Sequence, residues 1–370
     1  MPAKMACNGA TGIFRGSLGR KRMGFLVLMF LVLFSMMAFH VQRQWMFVRD
    51  TTLLETLECY RLQSGAKKNN CSALTDTRSW TRNDTVVKDI QEKVKQFFDP
   101  TGNISLLQSQ VKPGDRIWFL KSHFFWQPSV TVSRNFHNML PSRPPLENKH
   151  FRKCAVVGNS GILSNSGCGR EIDTHDYVFR CNLPELEGHE RDVGTKSNFT
   201  TMNPSVLFTY YKDFADPKLK ERFIQRLRRL EKGILFIPSF VAKSEKYHVQ
   251  WTNDIIIKHN ISVRTAYPSP DMEKWIRRYW KSTEYRVARP SSGMWMYTFA
   301  ATLCDEVHLY GMYPFDIDRY GRNIKYHYYD PRPFATMYGG HDMPIEFQVF
   351  KSLHEKGALR LQTDKCQASR

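Results

Sequence analysis

Apolar residues run unbroken across residues 23–39, where Ser35 is the only polar side chain. As a helix these 17 residues cover about 25 Å, close to the hydrocarbon thickness of an early secretory membrane. Residues 41–110 are rich in Lys, Asn, Thr, Gln and Asp, show one helical stretch at 86–98, and read as a stem. A proline-rich connector over 141–149 follows. From residue 154 the pattern changes. Short apolar runs at 154–158, 176–181, 233–238, 262–267 and 306–311 predict strands. Between them lie helical stretches at 217–230, 250–259, 271–280 and 292–303, the first with Leu219, Phe223, Leu227 and Leu230 on one face. This alternation predicts an α/β domain with a mostly parallel central sheet and no internal repeat. The expected division is a tail over 1–22, a membrane span over 23–40, a stem over 41–110 and a folded domain over 111–370.

Charge fixes the orientation. Lys4, Arg15, Arg20, Lys21 and Arg22 precede the apolar run with no acidic residue among them, which places the N-terminus in the cytoplasm and the bulk in a lumen, a type II topology. The competing reading is a cleaved signal peptide, for which the run is long and Met36-Met37-Ala38 a poor cleavage site. Trp45 and Phe47 would then sit at the luminal interface. Sequons at Asn70, Asn83, Asn103, Asn198 and Asn260 all follow the span, in agreement with luminal exposure. With 54 Lys+Arg against 35 Asp+Glu the chain carries +19, which favours an anionic partner; the span and sequons exclude nucleic acid. Seven cysteines lie beyond the span: Cys59, Cys71, Cys154, Cys168, Cys181, Cys304 and Cys366. In an oxidising lumen some pair, and an odd number leaves at least one free or bridging to a second chain. Their spacing contains no CxxC zinc signature.

Candidate chemistry sits where the predicted strands end. The loop 158-GNSGILSNSGCG-169 allows close backbone approach to a phosphate but is not G-x-G-x-x-G, and Asn182 stands where a dinucleotide fold carries an acid. Asn159 and Asn182 offer amides to phosphate or ribose oxygens, or belong to plain tight turns. Ser291, Ser292 and Gly293 open a helix, as an anion site or an ordinary N-cap. Asp316-Ile-Asp318 reads either as a metal-holding carboxylate pair or as a solvated turn. His327 and His341 lie in stretches rich in Gly and Pro, where an imidazole exchanges protons at neutral pH.

Together these segments resemble the sialylmotifs of animal sialyltransferases. Residues 154–206, beginning CAVVGNSGILSNSGCGREIDTHDYVFRCNL, are similar to the large motif, and 289-RPSSGMWMYTFAATLCDEVHLYGMYPF-315 to the small motif. 327-HYYD-330 is similar to the third, and His341 with Glu346 to the very small His-x4-Glu motif. The surrounding text is most similar to the α2,8-sialyltransferases, especially the polysialyltransferase branch, through 264-RTAYPS-269 and 351-KSLHEKGALRL-361.

The resemblance implies a GT-A-like variant of the Rossmann fold and a Golgi enzyme with its catalytic domain in the lumen. It implies transfer of sialic acid from CMP-sialic acid to a sialylated glycoprotein or glycolipid acceptor, with no metal or other cofactor. Asn159 and Asn182 would bind the CMP portion, Ser291, Ser292 and Gly293 the donor, and Tyr326 and His327 the phosphate end, with His341 as general base. Disulfides Cys154–Cys304 and Cys168–Cys366 would leave Cys181 unpaired, and the first is expected to hold the Asn159 loop against the Ser291 helix start. Tyr313 stands where the family usually has tryptophan near the donor. Asp271 and Glu273 interrupt the basic stretch of polymerising members, leaving Lys274, Arg277, Arg278, Lys281 and Arg286 to steer an anionic acceptor. A homodimer is an open option. The alternative of another class is a catalytically inactive, glycan-binding type II membrane protein of the same fold, which should lack a catalytic histidine.

Overall fold

The computed structural model describes residues 80–120, 129–332 and 340–366. The expected tail, span, Cys59, Cys71 and the sequon at Asn70 lie outside the described residues. Among the described residues no helix is long and apolar enough to cross a membrane.

A small antiparallel pair, β1 (Arg116–Trp118) and β2 (Ser129–Thr131), stands apart from a seven-stranded sheet. The sheet comprises β3 (Phe151–Val157), β4 (Tyr177–Arg180), β5 (Phe199–Thr201), β6 (Ile234–Phe236), β7 (Arg264–Ala266), β8 (Cys304–Tyr310) and β9 (Arg360–Gln362). Its order is β7-β6-β5-β4-β3-β8-β9, and every pairing is parallel. The last four residues of β3 and all of β4 and β5 are buried, as expected of strands covered on both faces. From β3 the chain steps outward to β7 and then returns to lay β8 on the other side of β3. The direction of winding therefore reverses between β3 and β8, and a parallel sheet opens its ligand crevice at the carboxyl ends of such a pair.

The helix Ser292–Leu303 explains its own position. Gly293 to Leu303 are all buried, so it is apolar all round rather than amphipathic. It packs on β3 and β8 and is covered by the helix Asp84–Lys95. Residues 80–110, expected as part of a stem, pack on the same body: Gln91 Nε2 donates to the Cys304 carbonyl at 3.1 Å, and Phe98 meets Phe299 at 5.5 Å between ring centroids.

Cys154 bonds to Cys304 and Cys168 to Cys366, and Cys181 is free and buried. The first bridge is not placed where the sequence suggested. Cys304 ends the apolar helix and begins β8, so the bond ties the far end of that helix to β3, away from the Asn159 loop and the Ser291 helix start. The sequon at Asn198 also serves the sheet. Asn198 Oδ1 accepts from Val178 N at 2.9 Å, and Thr200 of the same sequon is fully buried.

Candidate active site

At the reversal point β3 runs into Gly158 and β8 into Gly311. Gly158 N donates to the Tyr310 carbonyl at 2.7 Å, and Ser160 N to the Gly311 carbonyl at 3.1 Å. A Cβ on Gly158 would sit 2.4 Å from the Gly311 oxygen, so only glycine lets these two strand ends close up. Above them opens a cavity of about 560 Å³ whose lining includes Asn159, Asn182, Ser291, Ser292, Gly293, Tyr313, Tyr326, His327 and His341. These nine residues, expected from the sequence to bind the donor or act in catalysis, thus share one cavity, although they come from six separate stretches of chain.

Asn159 donates from Nδ2 to the Cys181 carbonyl at 2.9 Å, while its Oδ1 is buried without a protein partner. An unpaired buried acceptor costs roughly 1–3 kcal/mol, which a ligand donor recovers. Asn182 adopts φ 59° and accepts on Oδ1 from Asn203 N at 3.2 Å, which fixes the turn after β4. Across the cavity Ser291 caps the apolar helix, accepting from Met294 N. Glu346 clamps that cap: its Oε1 accepts from Ser291 N at 2.7 Å and its Oε2 from the Ser291 hydroxyl. Burial pushes the Glu346 carboxyl up to about 7, and Asp342 adds to the rise against the opposing Ser291 hydrogen bonds. Glu346 lies in the first turn of the helix Met343–Glu355, capped by Asp342, rather than in a loop. Tyr313 donates its hydroxyl to the Ile317 carbonyl at 2.9 Å and packs against Phe315 and Phe347.

The two histidines have different partners. His341 Nδ1 lies 2.9 Å from the Arg289 carbonyl, which only accepts, so Nδ1 carries a proton and proton exchange falls to Nε2. His327 Nδ1 lies 2.8 Å from Asp330 Oδ2 and 2.9 Å from the Tyr210 hydroxyl, which itself donates to Asp330. Burial acts to raise the Asp330 carboxyl, but hydrogen bonds from His327, the Arg332 amide and Tyr210 outweigh it and hold the carboxyl below its ordinary range. One imidazole is therefore oriented by a neutral dipole and the other by an anion.

Asp318 belongs elsewhere. Its carboxylate accepts from Tyr320 N, Arg322 N and the Arg322 guanidinium, the geometry of a turn, and it lines a different cavity of about 1520 Å³. That larger cavity shares no lining residue with the first, and its Lys153, Arg319 and Arg360 are each paired with a carboxylate. Among the described residues no cluster of three or more His, Cys, Asp or Glu side chains is placed to hold a metal.

The sequence profile of glycosyltransferase family 29 (sialyltransferase) matches residues 105–358. The chain belongs to this family. This sialyltransferase is 32% identical over 311 residues to the alpha-N-acetylneuraminide alpha-2,8-sialyltransferase of Xenopus tropicalis, a match covering 83% of this chain and 87% of that protein. It is also similar to two crystal structures of a mammalian sialyltransferase, one of them in complex with Gal-beta-1-3GalNAc-ortho-nitrophenol. Each has 22% identity and a TM-score of 0.41, over 84% and 85% of this chain respectively and 86% of the other.

The sequence did not point to Tyr210 or Asn203. Both follow β5, a three-residue strand with no periodicity of its own to announce it; Tyr210 lies beyond the large motif, and Asn203 lies near its end without a side chain that marks it out. Arg289 lay within the small motif, but its function here is carried by its carbonyl, which composition does not reveal. Of the five basic residues expected to steer an acceptor, Lys274 pairs with Asp271 and Arg277 with Glu273, so part of that charge is neutralised within its own helix.

Proposed function

We propose that this sialyltransferase moves sialic acid from CMP-sialic acid to the 8-hydroxyl of a sialylated glycan, inverting the anomeric centre in one displacement. The observation that carries this reading is the asymmetry of the two histidines. Proton exchange at Nε2 suits His341 to take the proton of the attacking hydroxyl. His327, oriented by Asp330 through Nδ1, places its other ring nitrogen to hydrogen-bond the departing phosphate, whose charge grows as the glycosidic bond breaks. CMP is a good leaving group, so positioning and charge neutralisation supply most of the catalysis and no covalent nucleophile is needed. Asn159 and Asn182 hold the CMP portion, with the Asn159 Oδ1 as an acceptor for a nucleotide N–H or O–H. The Ser291 helix start and Gly293 meet the donor, and Tyr313 and Tyr326 wall the donor side.

The chemistry uses no metal and the protein is a Golgi type II membrane enzyme, with a GT-A-like variant of the Rossmann fold. The relative named for α2,8 activity supports the linkage, and the presence of both His327 and His341 favours an enzyme over an inactive glycan binder. The test is to incubate the detergent-extracted full chain with CMP-sialic acid and a panel of sialylated and neutral glycans, then map the product linkage. Formation of α2,8-linked sialic acid supports the reading. Transfer only to neutral galactosides, or none, refutes it.

A further inference from the structure

A second, open groove adjoins the cavity, and the two share Phe208, Thr209 and Arg332 in their walls. Lys212 and Asp213 complete it. Phe208 is 67% exposed, although its helix, Ser205–Tyr211, buries Val206, Leu207 and Tyr211. A large apolar ring left in water at the rim of a polar cavity is what sugar recognition uses, because the electron-rich ring face attracts the polarised C–H bonds of a pyranose.

The turn that follows is held in an unusual shape. Lys212, Asp213 and Phe214 have φ of 46°, 52° and 63°, three successive non-glycine residues in the left-handed region, a conformation that persists only where its surroundings impose it. His248 Nε2 meets Asp213 Oδ1 at 2.9 Å, and Phe214 packs against Tyr211, Phe223 and Trp251. The Asp213 carboxylate thus faces His248, while the exposed Lys212 lines the groove. On the shared wall the Arg332 guanidinium lies over the Tyr210 ring, 4.4 Å from its centroid. The Arg332 side chain is itself paired with Asp330, its Nε 3.9 Å from Oδ2, so the groove, continuous with the site, is bordered by one aromatic platform and the exposed cation of Lys212, for which a neutral glycan has no use.

We infer that this groove is a subsite for a carboxylate-bearing sugar of the acceptor, with Phe208 stacked against its ring and Lys212 paired with its carboxylate. The inference rests on the reading that the acceptor is sialylated. It makes Phe208 and Lys212 determinants of specificity, outside the machinery that breaks the donor bond.

The experiment uses the full chain in detergent and two variants, Phe208→Ala and Lys212→Asn, the asparagine chosen because it tolerates positive φ. Three quantities are measured: KM for a sialylated oligosaccharide, KM for CMP-sialic acid, and donor hydrolysis without acceptor. Phe208→Ala raises the acceptor KM about tenfold and Lys212→Asn about threefold, with donor KM and uncoupled hydrolysis unchanged. Converting the acceptor carboxylate to a methyl amide weakens it for the unmodified enzyme, and Lys212→Asn then adds no further loss. Unchanged acceptor KM in both variants, with transfer to sialylated glycans intact, overturns the subsite and leaves the proposed reaction standing. Failure of the unmodified enzyme to use any sialylated acceptor refutes the reaction itself and the subsite with it.

Discussion

Replacing Glu346 by glutamine tests the link between the helix cap and the proton inventory of the fold. Glu346 is 4% exposed, and burial lifts its carboxyl from 4.5 to about 7. Between those two values the folded chain keeps a proton that the unfolded chain releases. The stabilisation from this group is therefore fully present below pH 4.5 and is lost as pH rises through 7. At ~1.4 kcal/mol for each pH unit between the two values, the loss is about 3 kcal/mol. For a domain of this size that is about 5 °C in Tm. In Glu346→Gln the amide oxygen still accepts from Ser291 N, and the side chain no longer titrates. The assay is thermal unfolding of both proteins from pH 4.5 to 8. The Tm of the variant, relative to the unmodified protein, should rise by about 5 °C across that range. Parallel curves, offset by a constant at every pH, would refute the reasoning, because they would mean that Glu346 ionises as easily in the folded chain as in the unfolded one.

Asp330→Asn removes the anion that orients His327 while preserving size; turnover is expected to fall on the order of 10²-fold with little change in acceptor KM, and steady-state kinetics over both substrates checks it. Transfer should survive EDTA, since Asp318 is committed to Arg322; loss of activity restored by manganese would reinstate Asp316 and Asp318 as a metal site. Cys154→Ser and Cys304→Ser should each lower stability, by up to about 5 kcal/mol in the chain-entropy model for a bond spanning 150 residues. The double variant should be no worse than either single one, because each already breaks the same bond; denaturant unfolding of the three proteins decides.

What the sequence disclosed follows from the length of each signal. β3 and β8 show as apolar runs because each is flanked by a strand on both sides and ends in four successive buried residues, and the helix Ser292–Leu303 shows because it is apolar all round. β5 is three residues inside the polar sequence Ser-Asn-Phe-Thr-Thr, too short for any periodicity, and it is a strand only because β4 and β6 pair with it. β9, Arg-Leu-Gln, is hidden for the same reason. The helix Met343–Glu355 was legible but overlooked: Glu346, Phe347, Phe350, Leu353 and His354 recur at helical spacing, masked by the neighbouring Gly and Pro. In the site, residue identities were readable from the motifs and their partners were not. Tyr210 reaches His327 and Asp330 across more than a hundred residues of chain, and His341 is oriented by a backbone carbonyl that any residue at position 289 would supply.

The account turns on His341 as the base that acts on the acceptor and not on the donor. Its direct test is His341→Ala, measured for transfer from CMP-sialic acid to a sialylated acceptor and, in parallel, for CMP binding by calorimetry. Transfer should fall by about 10²-fold or more while CMP affinity stays near that of the unmodified enzyme. A folded His341→Ala protein that transfers at close to the normal rate would contradict the account.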